Sequence, residues 1–380
     1  MQKKRIVLLG ATGSIGKSTI EVVKKHSDKF QIVLASAHNN YKNLLKLADE
    51  LKISKLAITN KKLAQKISSD RKIFYGEKNL LKALKNLDYD ILLNAVSGSA
   101  GLKYTVAGLQ SKHDIALANK ESLVMAGKII MKLASKNSCK LIPVDSEHSA
   151  IMQCLIGNSI SSQVRKIVLT ASGGPFQNWD LANFDKITLA DTLKHPTWKM
   201  GSKITIDSAT MANKGLEVIE AHHLFDLKFE QIEVVIHQQS IIHSMVEFID
   251  GSILSQMSYP DMKIPIQFAL SYPDRIATTG KFTDISKLPN LTFRKVNYKK
   301  FPLLKLAYQV GKTGGIMPTI FNSANEAAVS LFMKKRIKFT DIGKIVEKSL
   351  ARENVTNPDL ETIFAVDQKV KKEILSAYSN

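Results

Sequence analysis

The sequence predicts an α/β protein in three parts: an N-terminal doubly wound parallel sheet, a central α+β domain with an antiparallel sheet, and a C-terminal helical bundle. Three observations carry this. Short apolar runs alternate with helical patterns through the first third, as in parallel βαβ units. Strand-like runs then follow one another, two of them joined at Asp250-Gly251, a hairpin signal. Beyond Leu303 helical periodicity dominates. The expected boundaries are 1–149, 150–286, a linker at 287–312, and 313–380.

The 380 residues suffice for two or three domains with a substantial core, and 44% hydrophobic with 23% charged residues is ordinary for a globular chain. No apolar run is long enough to span a bilayer. The start, Met1 to Lys4 running straight into Arg5-Ile6-Val7-Leu8-Leu9 and Gly10, reads as neither a signal nor a transit peptide, so a cytoplasmic location is expected. Cys139 and Cys154 form no zinc or redox spacing and read as small core residues. The net charge of +20 invites nucleic acid, anionic lipid or small anions as partners. Its lysines are spread along the chain and aromatics are only 7%, which argues against a nucleic-acid groove.

Taken in order, the apolar run Arg5–Leu9 leads into Gly10-Ala11-Thr12-Gly13-Ser14-Ile15-Gly16 and a helix through Lys25. Strand, glycine turn and helix together suit a pyrophosphate resting on free N–H groups, a Rossmann-like arrangement. A second strand, Gln31–Ala37, ends in His38-Asn39-Asn40-Tyr41-Lys42 without the acid that would hold a ribose 2′-hydroxyl, which favours NADP over NAD. Further strands are expected at Leu56–Thr59, Ile91–Ala95, Ile115–Ala118 and Lys140–Val144. Their carboxyl ends carry Ser97 to Gly101, Asn119-Lys120-Glu121 and Asp145-Ser146-Glu147, at the edge where such sheets bind ligands.

Two carboxylates beside one serine, with Glu217 as a third, need a cation if they share a cleft, and all-oxygen ligands suit a hard ion. In an extended strand Asp145 and Glu147 would share a face and Ser146 would point away, so the chain must turn there for all three to act.

In the middle third, Lys166–Thr170 is an expected strand ending at Ser172-Gly173-Gly174-Pro175, and His195 to Gly201 has the punctuation of a lid or a surface loop. Lys203–Asp207 also reads as a strand, preceding a helix on which Ser208, Asn213 and Lys214 form a candidate phosphate cradle. Lys214 and Glu217, three apart, share a helix face. His148, His222 and His223 lack zinc spacing and read as structural. Helical patterns at Leu303–Val310, Thr319–Lys335, Asp341–Ala351 and Asp367–Tyr378 complete the chain.

These segments, with His195-Pro196-Thr197-Trp198, Asp207 to Met211, Asn213 to Glu217, Ile241 to Met245 and Asn325-Glu326, closely resemble in order the motifs of the 1-deoxy-D-xylulose 5-phosphate reductoisomerases of the non-mevalonate isoprenoid pathway. The resemblance implies NADPH- and metal-dependent rearrangement of the ketose phosphate, followed by reduction to 2-C-methyl-D-erythritol 4-phosphate. It implies Asp145, Glu147 and Glu217 as ligands of Mg²⁺, Mn²⁺ or Co²⁺, and Lys120, Glu147 and His195 as catalytic residues. Lys120, Ser146, Glu147, Ser172, His195, Ser208, Asn213, Lys214 and Glu217 would contact substrate. Thr12, Gly13, Ser14, Ile15, Asn39, Asn40, Asn119, Glu121 and Gly201 would line the cofactor site, with a lid at His195–Met200 and a homodimeric assembly.

The chain departs from the family pattern at His38-Asn39-Asn40, where Gly-Lys-Asn is common, and at His237-Gln238-Gln239-Ser240, where the second position is commonly Pro. Two other readings stand beside this one: an NADP-dependent semialdehyde or homoserine-type dehydrogenase, which leaves the carboxylates idle, and a basic nucleic-acid-binding protein.

Overall fold

The computed structural model describes residues 2–378 except Ser68, Ser159, His195, Pro196, Lys199 and Thr279, with backbone alone at Ala64, Gln65, Ile160 and Ser161. Two compact units emerge. The first comprises Met1–Asn119, Ile130–Ser149 and Asp261–Phe282; the second comprises Lys120–Ile129, Ala150–Pro260 and Thr283–Asn380.

The first unit is built on strands β1 (Lys4–Leu9), β2 (Phe30–Ala37), β3 (Lys55–Ile58), β4 (Lys72–Tyr75), β5 (Ile91–Asn94), β6 (Asp114–Leu117) and β7 (Leu141–Pro143). All pair in parallel in the order β4-β3-β2-β1-β5-β6-β7. Ile6 to Leu9 are wholly buried, as expected of a central strand covered on both faces. The direction of winding reverses between β1 and β5, so the loops after those strands flank the switch point where such sheets take ligands. Strand β4, four residues of only partial burial at the edge of the sheet, adds to the strands the sequence predicts.

The helix Lys263–Ser271 also belongs to this unit. Lys4 Nζ donates to the carbonyl of Leu270 at 2.9 Å, and Lys263 pairs with Glu21 at 3.1 Å. An apolar helical stretch carries no local mark of the layer it will join.

The second unit holds β8 (Val164–Ala171), β9 (Ile232–Ile236), β10 (Ile242–Phe248), β11 (Ile253–Met257) and β12 (Arg294–Lys295), ordered β11-β10-β8-β9-β12. The sheet is mixed and not simply antiparallel: β8 and β9 run parallel because the chain between them crosses over through helices, whereas β10 and β11 form the expected hairpin, with Gly251 at φ +87°.

One expected strand is a helix. Lys203–Asp207 lies within the helix Ser202–Ala209, where the alternation of Ile204 and Ile206 is overridden by tertiary burial of Thr205, Ile206 and Asp207. The helices Pro302–Thr313, Met317–Met333, Phe339–Ser349 and Leu360–Ala377 share one apolar core with the second sheet. Met317–Met333 is buried almost all round, as a central helix must be. Phe339 meets Phe176 edge-on at 5.2 Å, joining the loop after β8 to the helical layer. Among the described residues no helix is long and apolar enough to cross a membrane.

Candidate active site

In the first unit, Gly10 turns the chain out of β1 at φ +79°; a Cβ there would lie 2.6 Å from the carbonyl oxygen of Ala95. Only glycine lets the two switch-point loops approach so closely. Gly13 is the N-cap of the helix Ser14–Lys25 and supplies no side-chain cap, so the first-turn N–H groups beside Thr12, Ser14 and Ile15 suit an anionic ligand.

At the end of β2, His38 Nδ1 lies 2.8 Å from Thr59 Oγ1, and Asn39 Oδ1 accepts from Asn60 Nδ2 at 2.7 Å. Asn40 caps the helix Tyr41–Glu50, its Oδ1 accepting from Asn43 N at 3.4 Å. These bonds join the β2 turn to the loop after β3, where Asn60 is followed by Lys61 and Lys62. Lys61 and Lys62 thus follow directly on the residue that ties this loop to the β2 end.

Asn119, after β6, points its carboxamide back into the loop after β5 and donates to the carbonyls of Val96 at 2.7 Å and Gly98 at 2.8 Å. Gly101 packs on the same amide, since a Cβ there would come within 2.3 Å of it. Asn94 secures the other side of the loop, donating to Gly101 O and to Thr105 Oγ1, each at 2.9 Å.

The chain does turn at the acidic motif. Strand β7 ends at Pro143 and the helix Ser146–Cys154 begins three residues later, so Ser146 and Glu147 occupy a first helical turn. Ser146 Oγ donates to Glu147 Oε2 at 2.5 Å, and carboxylate oxygens of Asp145 and Glu147 lie within 4.8 Å of each other. Two oxygen donors at that spacing, one from each side of the turn, fit a hard divalent cation.

In the second unit, Lys120, Asn213, Lys214 and Glu217 converge. Lys120 Nζ lies 2.9 Å from both Glu217 Oε1 and Asn213 Oδ1, and Lys214 and Asn213 also bond the Glu217 carboxylate. Glu217 is 1% exposed, and a carboxylate so deeply buried needs this cationic company. Met211, in the left-handed region at φ 60°, sharply joins the helix carrying Ser208 to the helix Ala212–Phe225 that carries Asn213, Lys214 and Glu217.

The loop after β8 reaches the same helix. Gly173 and Gly174 have φ +83° and +63°, and a Cβ on Gly174 would sit 2.8 Å from the Ser208 carbonyl oxygen. This brings the Ser172 and Ser208 segments side by side. Gly201 caps the helix Ser202–Ala209. His195 lies outside the described residues, as do Pro196 and Lys199, while Trp198 stands 6.2 Å from the buried ring of His243.

Three residues with no expected role, the buried Asp207 and Asn325 and the half-buried Lys203, extend the cluster. Lys203 Nζ lies 2.8 Å from Glu121 Oε1 and 3.0 Å from Asp207 Oδ2, and Asn325 Nδ2 donates to Asp207 Oδ1 at 2.8 Å. Burial, the largest influence, drives the Glu121 carboxyl upward, but the charge and hydrogen bond of Lys203, a backbone hydrogen bond and the charge of Lys120 together hold the group below its ordinary range. Burial likewise opposes the Lys203 ammonium, yet Asp207 and Glu121 raise it. The four-residue spacing of Lys203 and Asp207 is a helical ion-pair signal that the strand reading concealed.

His222 and His237 make structural contacts. His222 Nδ1 lies 2.6 Å from Leu227 O, and the ring stacks on Phe229 at 4.4 Å. His237 Nδ1 donates to Thr292 O at 3.0 Å while Nε2 accepts from the amides of Ile241 and Ile242, which holds the turn containing Gln238. Cys154 is buried and Cys139 only half-buried; both are free.

Family models for 1-deoxy-D-xylulose 5-phosphate reductoisomerase match residues 6–127, and two models of its C-terminal domain match 141–225 and 257–373. A 1-deoxy-D-xylulose 5-phosphate reductoisomerase of Thermoanaerobacter pseudethanolicus is 47% identical over 99% of each chain. One from Bacillus cereus is 44% identical over 98% of this chain and 99% of its own. A DOX-P reductoisomerase solved in complex with NADPH, fosmidomycin and magnesium superposes with a TM-score of 0.94 at 38% identity, covering 99% of this chain and 98% of that one. The Zymomonas mobilis enzyme in complex with NADPH gives 0.91 at 40%, with 99% of both chains covered. With full-length identity at this level on a common fold, the chain belongs to the 1-deoxy-D-xylulose 5-phosphate reductoisomerase family.

Proposed function

We infer that this chain is an NADPH- and divalent-metal-dependent reductoisomerase, converting 1-deoxy-D-xylulose 5-phosphate to 2-C-methyl-D-erythritol 4-phosphate for isoprenoid precursors. The observation that carries the reading is the buried Lys120–Asn213–Lys214–Glu217 cluster, four groups whose desolvation a purely structural helix pair would not require.

Asp145, Glu147 and Glu217 are assigned to the metal, Mg²⁺ or Mn²⁺, because all three offer carboxylate oxygens. When bound, such an ion polarises neighbouring substrate oxygens and steadies enolate-like charge. Lys120, held by Glu217 and Asn213, presents a fixed ammonium to a substrate oxygen, so little reorganisation is needed as charge develops. Ser172 and Ser208, on segments that meet where the β8 loop reaches the helix Ser202–Ala209, and Asn213 and Lys214 on the helix that follows, are assigned to the substrate phosphate, whose remote binding energy aligns the reacting end. Ser146, fixed against Glu147, adds a hydroxyl. His195 and the segment to Met200 are assigned to the substrate lid that excludes water.

NADPH is assigned to the glycine turn at Thr12–Ile15, to Asn39 and Asn40, and to Asn119, Glu121 and Gly201. The acid-free β2 end with Lys61 and Lys62 nearby supports a 2′-phosphate over a 2′-hydroxyl. A homodimer is supported by edge strand β11, which exposes Ile253, Leu254 and Met257. Two free cysteines accord with a reducing cytoplasm.

The test is NADPH consumption with 1-deoxy-D-xylulose 5-phosphate, with Mg²⁺ or Mn²⁺ and with EDTA, and with NADH in competition. Turnover that requires the metal and prefers NADPH is expected. EDTA-resistant turnover of another carbonyl substrate would instead favour a simple dehydrogenase.

A further inference from the structure

Of the Lys203 network only Glu121 has a role assigned above, yet the network buries the carboxylates of Glu121 and Asp207 and half-buries the ammonium of Lys203. Lys203 bridges Glu121, the neighbour of Lys120, and Asp207, which is 1% exposed and receives a further hydrogen bond from the fully buried Asn325. The charges continue outward: the ammonium of Lys203 also feels Glu326, and Lys371 pairs with Glu326 at 2.6 Å and with Asp367 at 2.8 Å. Ser323 Oγ donates to Asp367 at 2.6 Å. An alternating row of anions and cations thus runs from the first turn of the helix Lys120–Lys136, through Ser202–Ala209 and Met317–Met333, to Leu360–Ala377.

Buried pairs of this kind add little net stability compared with apolar packing, so their presence points to placement of a particular group. The helix that starts at Lys120 is interrupted at Ala126, which departs from helical geometry at φ −137°, ψ 28°. Lys120 and Glu121 therefore sit on the short segment before that kink, and Lys203 joins this segment at Glu121.

We propose that Lys203 is a positioning residue that acts through Glu121, with Asp207 and Asn325 fixing its ammonium so that the Glu121 carboxylate is held in place for the cofactor. This rests on the reading of Glu121 as a cofactor-site residue. The C-terminal helices thereby take a part in the site beyond general support, through Asn325.

The measurement is the Kd for NADPH by fluorescence titration, alongside thermal unfolding, for the wild type, Lys203→Met, Glu121→Gln and the two combined. Lys203→Met is expected to weaken NADPH binding about tenfold or more, the scale of a lost charged hydrogen bond. Glu121→Gln is expected to do the same, and the combination to be no worse than the weaker-binding single variant. Should Lys203→Met fail to fold, Lys203→Met/Asp207→Asn removes one charge of each sign and leaves the net charge of the cluster unchanged; it is expected to show the same loss. An unchanged Kd in the folded Lys203 variants, or losses that multiply in combination with Glu121→Gln, overturns the proposal and leaves an ordinary structural ion pair. A wild type that binds no NADPH overturns both this inference and the functional reading; a wild type that binds, with variants unaffected, overturns this inference alone.

Discussion

The ammonium of Lys120 lies 2.9 Å from Oε1 of Glu217, with the two side chains 10% and 1% exposed. Lys214 bonds the other carboxylate oxygen, so one buried anion organises two cations on different helices.

Replacing that anion should be costly to activity and mild in shape. Glu217→Gln keeps the side-chain volume but leaves the ammoniums of Lys120 and Lys214 without their shared partner. Turnover of the ketose phosphate is expected to fall by roughly 10²–10³ or more, the scale of removing a charge-stabilising group. NADPH binding by fluorescence should be retained; unchanged turnover would remove Glu217 from the metal and substrate site.

Asn119 makes a second, opposite test. Its amide donates to two carbonyls, so Asn119→Asp replaces a donor by an anion facing Val96 O and Gly98 O. The loop after β5 should loosen, with a cost of about 1–3 kcal/mol in NADPH binding. Equal NADPH affinity in Asn119→Asp and wild type would show that the loop does not depend on this clamp.

The helix Lys120–Lys136 is also held by shape. A Cβ on Gly127 would lie 2.1 Å from the ring of His223. Gly127→Ala should destabilise the fold by about 1–3 kcal/mol through overpacking. In urea unfolding, adding His223→Ala should recover most of that loss, and additive destabilisation would contradict the contact.

Acid should weaken the fold through two desolvated histidines, the buried His243 and the half-buried His223. Desolvation lowers His223 to about 3 and His243 to about 4 from an ordinary value near 6.5. Both are neutral in the native state while the unfolded chain binds their protons, so stability is intact above about pH 6.5 and falls as pH drops toward 4. Each contributes a slope of about 1.4 kcal/mol per pH unit in that window. Urea midpoints at several pH values check this, and His243→Gln should flatten the slope; an equal slope would exclude His243 as a source.

Much of the first unit was legible because its signals are local. Gly10, Gly13 and Gly16 mark a strand-to-helix turn whose steric demands only glycine meets, and the apolar runs of β1, β2 and β5 have no helical period. Asp145-Ser146-Glu147 was legible as chemistry, and the need for a turn there followed from the two-residue period of a strand. The helix Ser202–Ala209 was misread for the converse reason: Ile204 and Ile206 carry a strand-like alternation, and only packing around Thr205, Ile206 and Asp207 decides between the two.

What the amino-acid order determined by itself is therefore the chemical inventory and its local settings: a glycine turn for phosphates, a β2 end without an acid, carboxylates at a strand end, and a lysine three residues before a glutamate. Tertiary structure alone decided which of these meet. Lys120 finds Glu217 across 97 positions, Lys203 finds Glu121 across 82, and Asn325 finds Asp207 across 118. Hydrogen bonds and buried ion pairs act over about 3 Å, a distance that sequence spacing specifies only within a helix or a turn; beyond that, the shared burial of apolar faces selects the partners.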